Sequence, residues 1–163
     1  MYSYRQVDRP KYSRIEIERR WRVDLASVPG WEALAYSRIT DRYLEGGRLR
    51  LRKVESGNET VYKLGKKYGW ADGQGEPITN LYLTQEEYES LLGVQGFETV
   101  KRRIKMAGGA LDVYDLNEAS TAIFEMEFDS LEEAQVFEAP SFAGEELKFG
   151  ELSGYVMAAA SNR

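Results

Sequence analysis

Alternation of apolar and charged residues is the dominant pattern of this chain, and it is clearest in the segment Arg14–Val23. Isoleucine and tryptophan side chains occupy one parity, whereas Glu16, Glu18 and Arg20 occupy the other. Successive side chains of a β-strand point to opposite faces, so two carboxylates and a guanidinium share one face of the predicted strand. Two acids at positions i and i+2 repel each other, which indicates a face that binds a cation, with a divalent metal as the first candidate.

Similar alternation predicts further strands, joined mostly by hairpin turns. They cover approximately residues 39–44, 48–52, 60–67, 78–83, 100–106, 110–116 and 121–128. Helices are predicted after Thr84 and Ser130, each followed three residues later by glutamate as in a capping box, and at 152–160. About eight strands with short flanking helices predict an α+β, mainly β, fold built on an antiparallel sheet that is either open or closed.

Charged residues on these strands also keep to one parity. They are Arg48, Arg50 and Arg52; Lys63 and Lys67; Lys101, Arg103 and Lys105; Asp112; and Glu125, Glu127 and Asp129. A solvated sheet face accounts for any one of these strands. It accounts less well for the whole set, in which three strands are purely cationic on one face and two carry an acid pair. If the charged faces line one enclosed space, the chain forms a barrel with a charged interior, filled with water or matched to a polyanion and cations.

The composition limits the kinds of binding and catalytic sites that the chain can form. The net charge is −5 in 163 residues, which gives no sign of a general nucleic-acid binder or a membrane-surface protein. The chain has no cysteine and no histidine. Disulfides, thiolate sites and a cysteine nucleophile are thereby excluded, and the commonest general base and usual zinc ligand are missing. Carboxylates remain as the strong metal ligands, and these suit the hard cations Mg²⁺ or Mn²⁺.

Length and patterning predict one domain over residues 14–163, preceded by an unpatterned extension over residues 1–13. No apolar run approaches the roughly 20 residues that a membrane span needs, and the N-terminus lacks the apolar core of a signal peptide. We therefore expect a cytoplasmic protein.

The number of cationic side chains on the strands limits which kinds of ligand the protein can bind. Seven of them lie on charged strand faces: Arg20, Arg50, Arg52, Lys63, Lys67, Lys101 and Arg103. A single carboxylate substrate does not need so many, whereas a polyphosphate chain does, because arginine forks bind phosphate oxygens in pairs. The acids Glu16, Glu18, Glu125 and Glu127 would then hold a metal that bridges phosphates and polarises the attacking water.

These residues resemble the motifs of the CYTH domain in the triphosphate tunnel metalloenzyme superfamily. Glu16-Ile17-Glu18-Arg19-Arg20 is similar to the ExExK signature. The likeness continues through Arg50-Leu51-Arg52, Tyr62-Lys63-Leu64 with Lys67, Lys101 with Arg103, Leu111-Asp112-Val113-Tyr114, and Glu125-Met126-Glu127-Phe128. Taken singly ExExK is a weak signal, but the four charged motifs in this order are fairly specific.

The resemblance implies an eight-stranded antiparallel β-tunnel that binds triphosphates with Mg²⁺ or Mn²⁺. If the roles of the matching motif positions apply to this chain, the metal ligands are Glu16, Glu18, Glu125 and Glu127, with Asp112 as a further candidate. The phosphate-binding residues are Arg20, Arg50, Arg52, Lys63, Lys67, Lys101 and Arg103, and the catalytic residues are Glu16, Glu18 and Arg20. Arg20 departs from the motif, which has lysine, and this puts turnover in question more than binding.

Family members act on several substrates, so alternatives remain open. We expect hydrolysis of inorganic triphosphate to diphosphate and phosphate. The alternatives are an adenylyl cyclase of class IV type, a thiamine triphosphatase, a non-catalytic binder of polyphosphate or a nucleotide, and a purely structural sheet. The expected partner is a triphosphate-containing small molecule, with a homodimer suggested by the resemblance alone. Among the aromatic residues, Tyr82 is expected to pack in the core, and Trp70 is a candidate contact at the tunnel mouth.

Overall fold

The computed structural model describes residues 9–69, 75–116 and 119–161. The strands in this part of the chain are β1 (Arg14–Val23), β2 (Ser37–Leu44), β3 (Leu49–Ser56), β4 (Glu59–Lys67), β5 (Glu76–Leu83), β6 (Gly96–Met106), β7 (Gly109–Leu116), β8 (Ala119–Phe128) and β9 (Ala143–Glu146). The helices there are α1 (Gln85–Leu91), α2 (Leu131–Val136) and α3 (Gly154–Ser161), with 3₁₀ turns at Leu25–Ser27 and Trp31–Ala33. Trp70 and most of the predicted N-terminal extension lie outside the described residues.

Eight of these strands close into an antiparallel barrel. The pairing order is β5-β4-β3-β2-β6-β7-β8-β1, and β5 pairs again with the start of β1. The short strand β9 lies along the same edge of β1 nearer to its end, opposite Trp21 and Val23. The closed, mainly β fold expected from the resemblance is therefore confirmed. The boundaries of the domain and the homodimer remain predictions.

The apolar parity of the strands faces outward. Buried residues of the outer layer include Trp21, Ile104, Leu111, Val113 and Phe124. They are covered by aromatic residues around α2: the ring centroids of Trp21 and Phe137 lie 5.7 Å apart, and those of Phe124 and Phe142 lie 5.3 Å apart. Because side chains alternate along a strand, burial of this parity against α2 turns the charged parity toward the barrel axis.

Local signals in the sequence set several boundaries. The capping box at Thr84 is formed in both directions and begins α1. At Ser130 only half of the predicted box is present: its hydroxyl accepts from the Glu133 amide, but the Glu133 carboxylate accepts from the amide of Asp129. The hairpin before β7 turns through Ala107 and Gly108, which both have positive φ, one residue earlier than predicted.

Two strands begin earlier than the pattern predicts. β5 starts at Glu76 and β6 at Gly96, whereas alternation indicated starts at Ile78 and Val100. Pro77 and the glycines before it are typical of a loop, but proline is tolerated at the start of a strand. Cross-strand pairing, which local patterning does not contain, extends both strands. None of the helices in the described ranges combines the length and hydrophobicity that a membrane-spanning helix needs.

Candidate functional site

Cross-strand register places most of the sequence-predicted site residues on the inner wall of the barrel. One row runs Asp41, Arg52, Lys63 and Tyr82 across β2, β3, β4 and β5. On the other side of the barrel, Glu18 pairs with Glu127 and Arg20 pairs with Glu125, across β1 and β8. Directly paired residues project from the same face of a sheet, so the inner wall is charged all round.

Lys67 lies among three carboxylates where β4 and β5 meet β1. Its Nζ is 2.7 Å from Glu16 Oε1, 3.9 Å from Glu18 Oε1 and 4.0 Å from Glu76 Oε1. Glu76 is directly opposite Glu16 in the register and also accepts a hydrogen bond from the Gly69 amide. An ammonium group therefore balances a local excess of negative charge.

The carboxylates in this cluster differ in their affinity for a proton. Burial raises the pKa of Glu18 to about 7, against attraction by Lys67 and with the repulsion of Glu125 and Glu16 adding to the rise. Burial acts on Glu16 in the same direction, but Lys67 and the guanidinium groups of Arg50 and Arg52 outweigh it, so its pKa is lowered. Glu18 is therefore the acid whose charge is least well compensated.

A second cluster joins β6, β7 and β8. Asp112 is fully buried and bound by Lys101 at 2.5 Å and by Arg103 at 2.6 and 2.7 Å. Arg103 also donates to Glu125 at 2.7 Å. Burial would raise the pKa of Glu125, but Lys101, Arg103 and Arg20 lower it to about 2. The contacts of Asp112 are those of a structural ion-pair network, and the metal role suggested by the sequence stays a prediction.

A third ion pair supports the cationic wall. Arg52 donates two hydrogen bonds to buried Asp41, at 2.6 and 2.7 Å. Burial would raise the pKa of Asp41, but Arg52 and Arg50 hold it well below its usual range. Arg50 is 3.9 Å from the same carboxylate, and its buried Nε has no hydrogen-bond partner among the described residues. Opposite Arg50 in the register is Gly65, and the side chain of Asn80 fills the space that a Cβ of Gly65 would occupy.

The end of β5 carries an exposed aromatic residue. Tyr82 is 74 % exposed, so the expectation that it packs in the core is wrong. Its ring lies 5.1 Å from Nζ of Lys63, which forms no ion pair within the described part of the chain. Glu127 is also near a rim: its side chain is 56 % exposed and its contact is a 3.3 Å ion pair with Arg14. These residues mark a mouth of the tunnel.

Arg20 faces inward as predicted, but its contacts are to protein groups. Its terminal nitrogens donate to the backbone carbonyls of Glu151 and Leu152, each at 2.7 Å, and its Nε is 3.5 Å from Glu125. The residue expected to bind phosphate therefore contacts the segment that leads into α3.

The carboxylates around Lys67 fit a divalent cation in chemistry but not in arrangement. Glu16, Glu18 and Glu76 supply the oxygen ligands that Mg²⁺ and Mn²⁺ prefer. Within the described residues, however, no three acids converge in a metal-ligating arrangement. The ammonium of Lys67 takes that central position, so a bound metal requires Lys67 to move.

Sequence reasoning missed Asp41 and Glu76, and it placed Tyr114 in a matched motif without assigning it a role. Asp41 shares the parity of Ile39 and Tyr43, so alternation assigns it to an apolar face, and only its pairing with Arg52 shows that this face is inward. Glu76 precedes a proline in a glycine-rich stretch and carries no strand signal. Tyr114 is buried, and its hydroxyl accepts from Lys101 at 3.1 Å; burial raises its pKa well above the usual value.

Comparison with solved structures supports the fold. The structure of the hypothetical protein NE1496 aligns with a TM-score of 0.52 and 24% identity, over 88% of this chain and 97% of that chain. The Bacillus halodurans protein bh2851, a proposed adenylate cyclase, aligns with a TM-score of 0.52 and 18% identity, over 77% and 86% of the two chains. A structure titled as the inorganic triphosphatase NE1496 aligns at 0.49 and 22% identity, over 88% and 93%.

The likeness to the first two of these structures, each at a TM-score of 0.52, confirms the tunnel fold implied by the resemblance to the CYTH domain. No protein-family model and no curated protein sequence matches the chain.

Proposed function

We propose that the protein binds a triphosphate in its tunnel and hydrolyses it with the help of Mg²⁺ or Mn²⁺, with inorganic triphosphate as the substrate. The observation that carries the proposal is Arg50. Its buried Nε lacks a hydrogen-bond partner among the described residues and lies 3.9 Å from Asp41. A buried guanidinium nitrogen without a partner is costly, and a phosphate oxygen is the group that best satisfies it.

Three cations are free to serve a phosphate chain in different ways. Within the described residues, Arg50 has a nitrogen without a hydrogen bond, and Lys63 forms no ion pair and lies beside the ring of Tyr82. Lys67 is bound to Glu16 and can exchange that carboxylate for a phosphate oxygen. Arg52, Arg103 and Lys101 are tied to buried aspartates, so their contribution is to keep the wall positive and in place.

Binding of the anion and of the cation would be coupled through Lys67. Glu16, Glu18 and Glu76 are the residues that would hold a divalent cation, which supplies Lewis-acid polarisation of the phosphate oxygens. When the Lys67 side chain moves so that its ammonium group binds the phosphate chain, the three carboxylates lose the positive charge that had neutralised them. Each event therefore favours the other, which is reciprocal linkage between two sites.

Phosphate release from tripolyphosphate, with Mg²⁺ and with Mn²⁺, tests the proposal. We expect turnover by the wild type and at least about a hundredfold loss in the Glu16→Gln/Glu18→Gln double variant. Glu132→Gln, on the exposed face of α2, is the control and should retain full activity. A rise in melting temperature with tripolyphosphate but no phosphate release would identify a non-catalytic binder, and neither effect would contradict both hydrolysis and binding.

A nucleoside triphosphate is the second candidate, and Tyr82 favours it. An exposed aromatic ring at a tunnel mouth, on the tunnel-facing parity, is a surface on which a nucleobase can stack. Tyr82→Ala should then weaken ATP binding by about tenfold and leave tripolyphosphate binding unchanged. Mass analysis of the products distinguishes hydrolysis of ATP from cyclisation to cyclic AMP.

A further inference from the structure

Both terminal nitrogens of Arg20 are bound by the C-terminal segment, defined here as residues 147–161. One terminal nitrogen donates to the carbonyl of Glu151 and the other to the carbonyl of Leu152, both at 2.7 Å. The side chain is only 11% exposed. Its planar fork thus binds two successive backbone oxygens, a contact that a single ammonium cannot reproduce.

The C-terminal segment packs on tunnel-facing residues. Leu147 and Met157 form a buried apolar cluster with Tyr114 and Ile123, and Leu152 packs against it. Ile123 is paired with Arg22 and Asp112, so it belongs to the inward parity. Apolar side chains of the segment therefore meet the tunnel wall itself.

The start of α3 is also fitted closely against the tunnel wall. A Cβ added to Gly154 would lie 1.8 Å from the Tyr43 hydroxyl oxygen. The ring of Tyr155 is edge-on to Tyr43 at 6.0 Å and to Phe97 at 6.2 Å. Tyr43 lies near the end of β2 and Phe97 near the start of β6, so the segment closes that end of the barrel.

The exposed residue Tyr82 lies at the opposite end. β2, β3, β4 and β5 are successive antiparallel neighbours, so β5 runs against β2. Tyr82 is next to the last residue of β5, whereas Tyr43 is next to the last residue of β2. The two tyrosines consequently mark different ends of one tunnel, of which the Tyr43 end is covered.

We propose that Arg20 is a positioning residue, which holds the C-terminal segment across one end of the tunnel and leaves the Tyr82 end as the entrance. A triphosphate then enters by its terminal phosphate, which travels deepest, and any attached group stays beside Lys63 and Tyr82. The substrate part of this inference rests on the proposed function, whereas the role of Arg20 in holding the segment does not.

Arg20→Lys tests this role, because it keeps the positive charge beside Glu125 but removes the fork. Amide hydrogen exchange across the C-terminal segment should rise by about tenfold or more. Tripolyphosphate affinity, measured by calorimetry, should change by less than about threefold, because phosphate is bound elsewhere. The matched control is Arg19→Lys: Arg19 is on the outer face and holds the carbonyls of Ala134 and Phe137, so exchange should rise around α2 instead.

Tyr155→Ala loosens the same segment without altering Arg20. If Arg20 acts through the segment, the two substitutions should raise exchange in the same residues and be non-additive when combined. If affinity also falls in Arg20→Lys, an equal fall in Tyr155→Ala supports the positioning role. A large fall in Arg20→Lys alone, or unchanged exchange, would overturn it in favour of direct phosphate binding.

Failure of the proposed function has a different signature. If tripolyphosphate neither binds to nor is hydrolysed by the wild type, the substrate assignment fails, while the exchange comparison still decides the role of Arg20.

Discussion

Lys67 Nζ is 2.7 Å from Glu16 Oε1, and it lies within 4.0 Å of oxygens of Glu18 and Glu76 as well. The protein therefore carries its own cation at the position between the acids. A metal ion cannot approach this position without competing with the ammonium, whose charge repels it.

Lys67→Met should strengthen binding of Mn²⁺ or Mg²⁺ in the absence of phosphate, by about tenfold or more, because the competing charge is gone. The same substitution should weaken tripolyphosphate binding. Calorimetric titration with each ligand measures both effects. Lys66→Met, at the neighbouring position of opposite parity, is the control; equal metal affinity in the two variants would contradict the competition.

Glu18 should make the metal-free protein less stable as the pH rises. Its pKa is about 7 in the folded protein against an ordinary value of 4.5. Between these values the folded state binds a proton that the unfolded state does not, so stability falls as pH rises through this window and the loss is complete above it. Glu18→Gln should therefore raise the free energy of unfolding at pH 8 by roughly 1 to 3 kcal/mol and have little effect at pH 4.

Urea unfolding at the two pH values, in chelator, measures this difference. Glu132→Gln, which is exposed, should show no such pH dependence. A destabilising effect of Glu18→Gln at pH 8 would show that Lys67 compensates the charge of Glu18 fully.

Asp112→Asn should affect folding more than metal binding. The aspartate is fully buried between Lys101 and Arg103, and its loss leaves two cations without their counter-charge. We expect about 3 to 5 kcal/mol of destabilisation in urea unfolding. Asp115→Asn, exposed on the same strand, should cost less than about 1 kcal/mol. Weaker Mn²⁺ binding with unchanged stability would instead restore Asp112 as a metal ligand.

Arg50 and Arg52 should differ although they are two residues apart on one face. Arg50→Met should weaken tripolyphosphate binding by about tenfold and cost less stability than Arg52→Met, because its Nε lies 3.9 Å from Asp41 and forms no hydrogen bond among the described residues. Arg52→Met should instead destabilise the protein, since it strips buried Asp41 of its closest partner. Thermal unfolding with and without tripolyphosphate separates the two outcomes, and equal behaviour would contradict the division of roles.

Much of the barrel could be predicted from parity. Apolar residues such as Trp21 on β1 and Phe124 on β8 need a covering layer outside the barrel, and supplying it turns Glu16, Glu18 and their counterparts on these two strands inward. The resemblance added closure of the sheet, which alternation cannot distinguish from an open sheet. Alternation uses information that lies within single strands, whereas the resemblance uses the order of the motifs along the chain.

Pairing between strands could not be predicted in this way. The sequence presents Asp112, Arg52 and Arg103 as equivalent charged positions, but three-dimensional register decides that some are bound to one another. Arg20 shows the same limit. Its position in the motif predicted that it binds phosphate, whereas its observed contacts are with a segment about 130 residues further along the chain. Glu76 was hidden because cross-strand hydrogen bonds, and not local propensity, extend β5 past Pro77.

The seam between β1 and β5 has a consequence for how the barrel opens. It consists of three paired positions, with Glu16 directly opposite Glu76 and Ile15 opposite Pro77, which has no amide hydrogen to donate. This pairing is short, places two like charges opposite each other and lacks one hydrogen-bond donor. It is therefore the least stable strand pairing in a barrel whose other pairings are longer. The barrel should therefore open locally at this seam first, and the seam amides should exchange earliest among the strands. A cation that neutralises the two glutamates should stabilise the closed barrel.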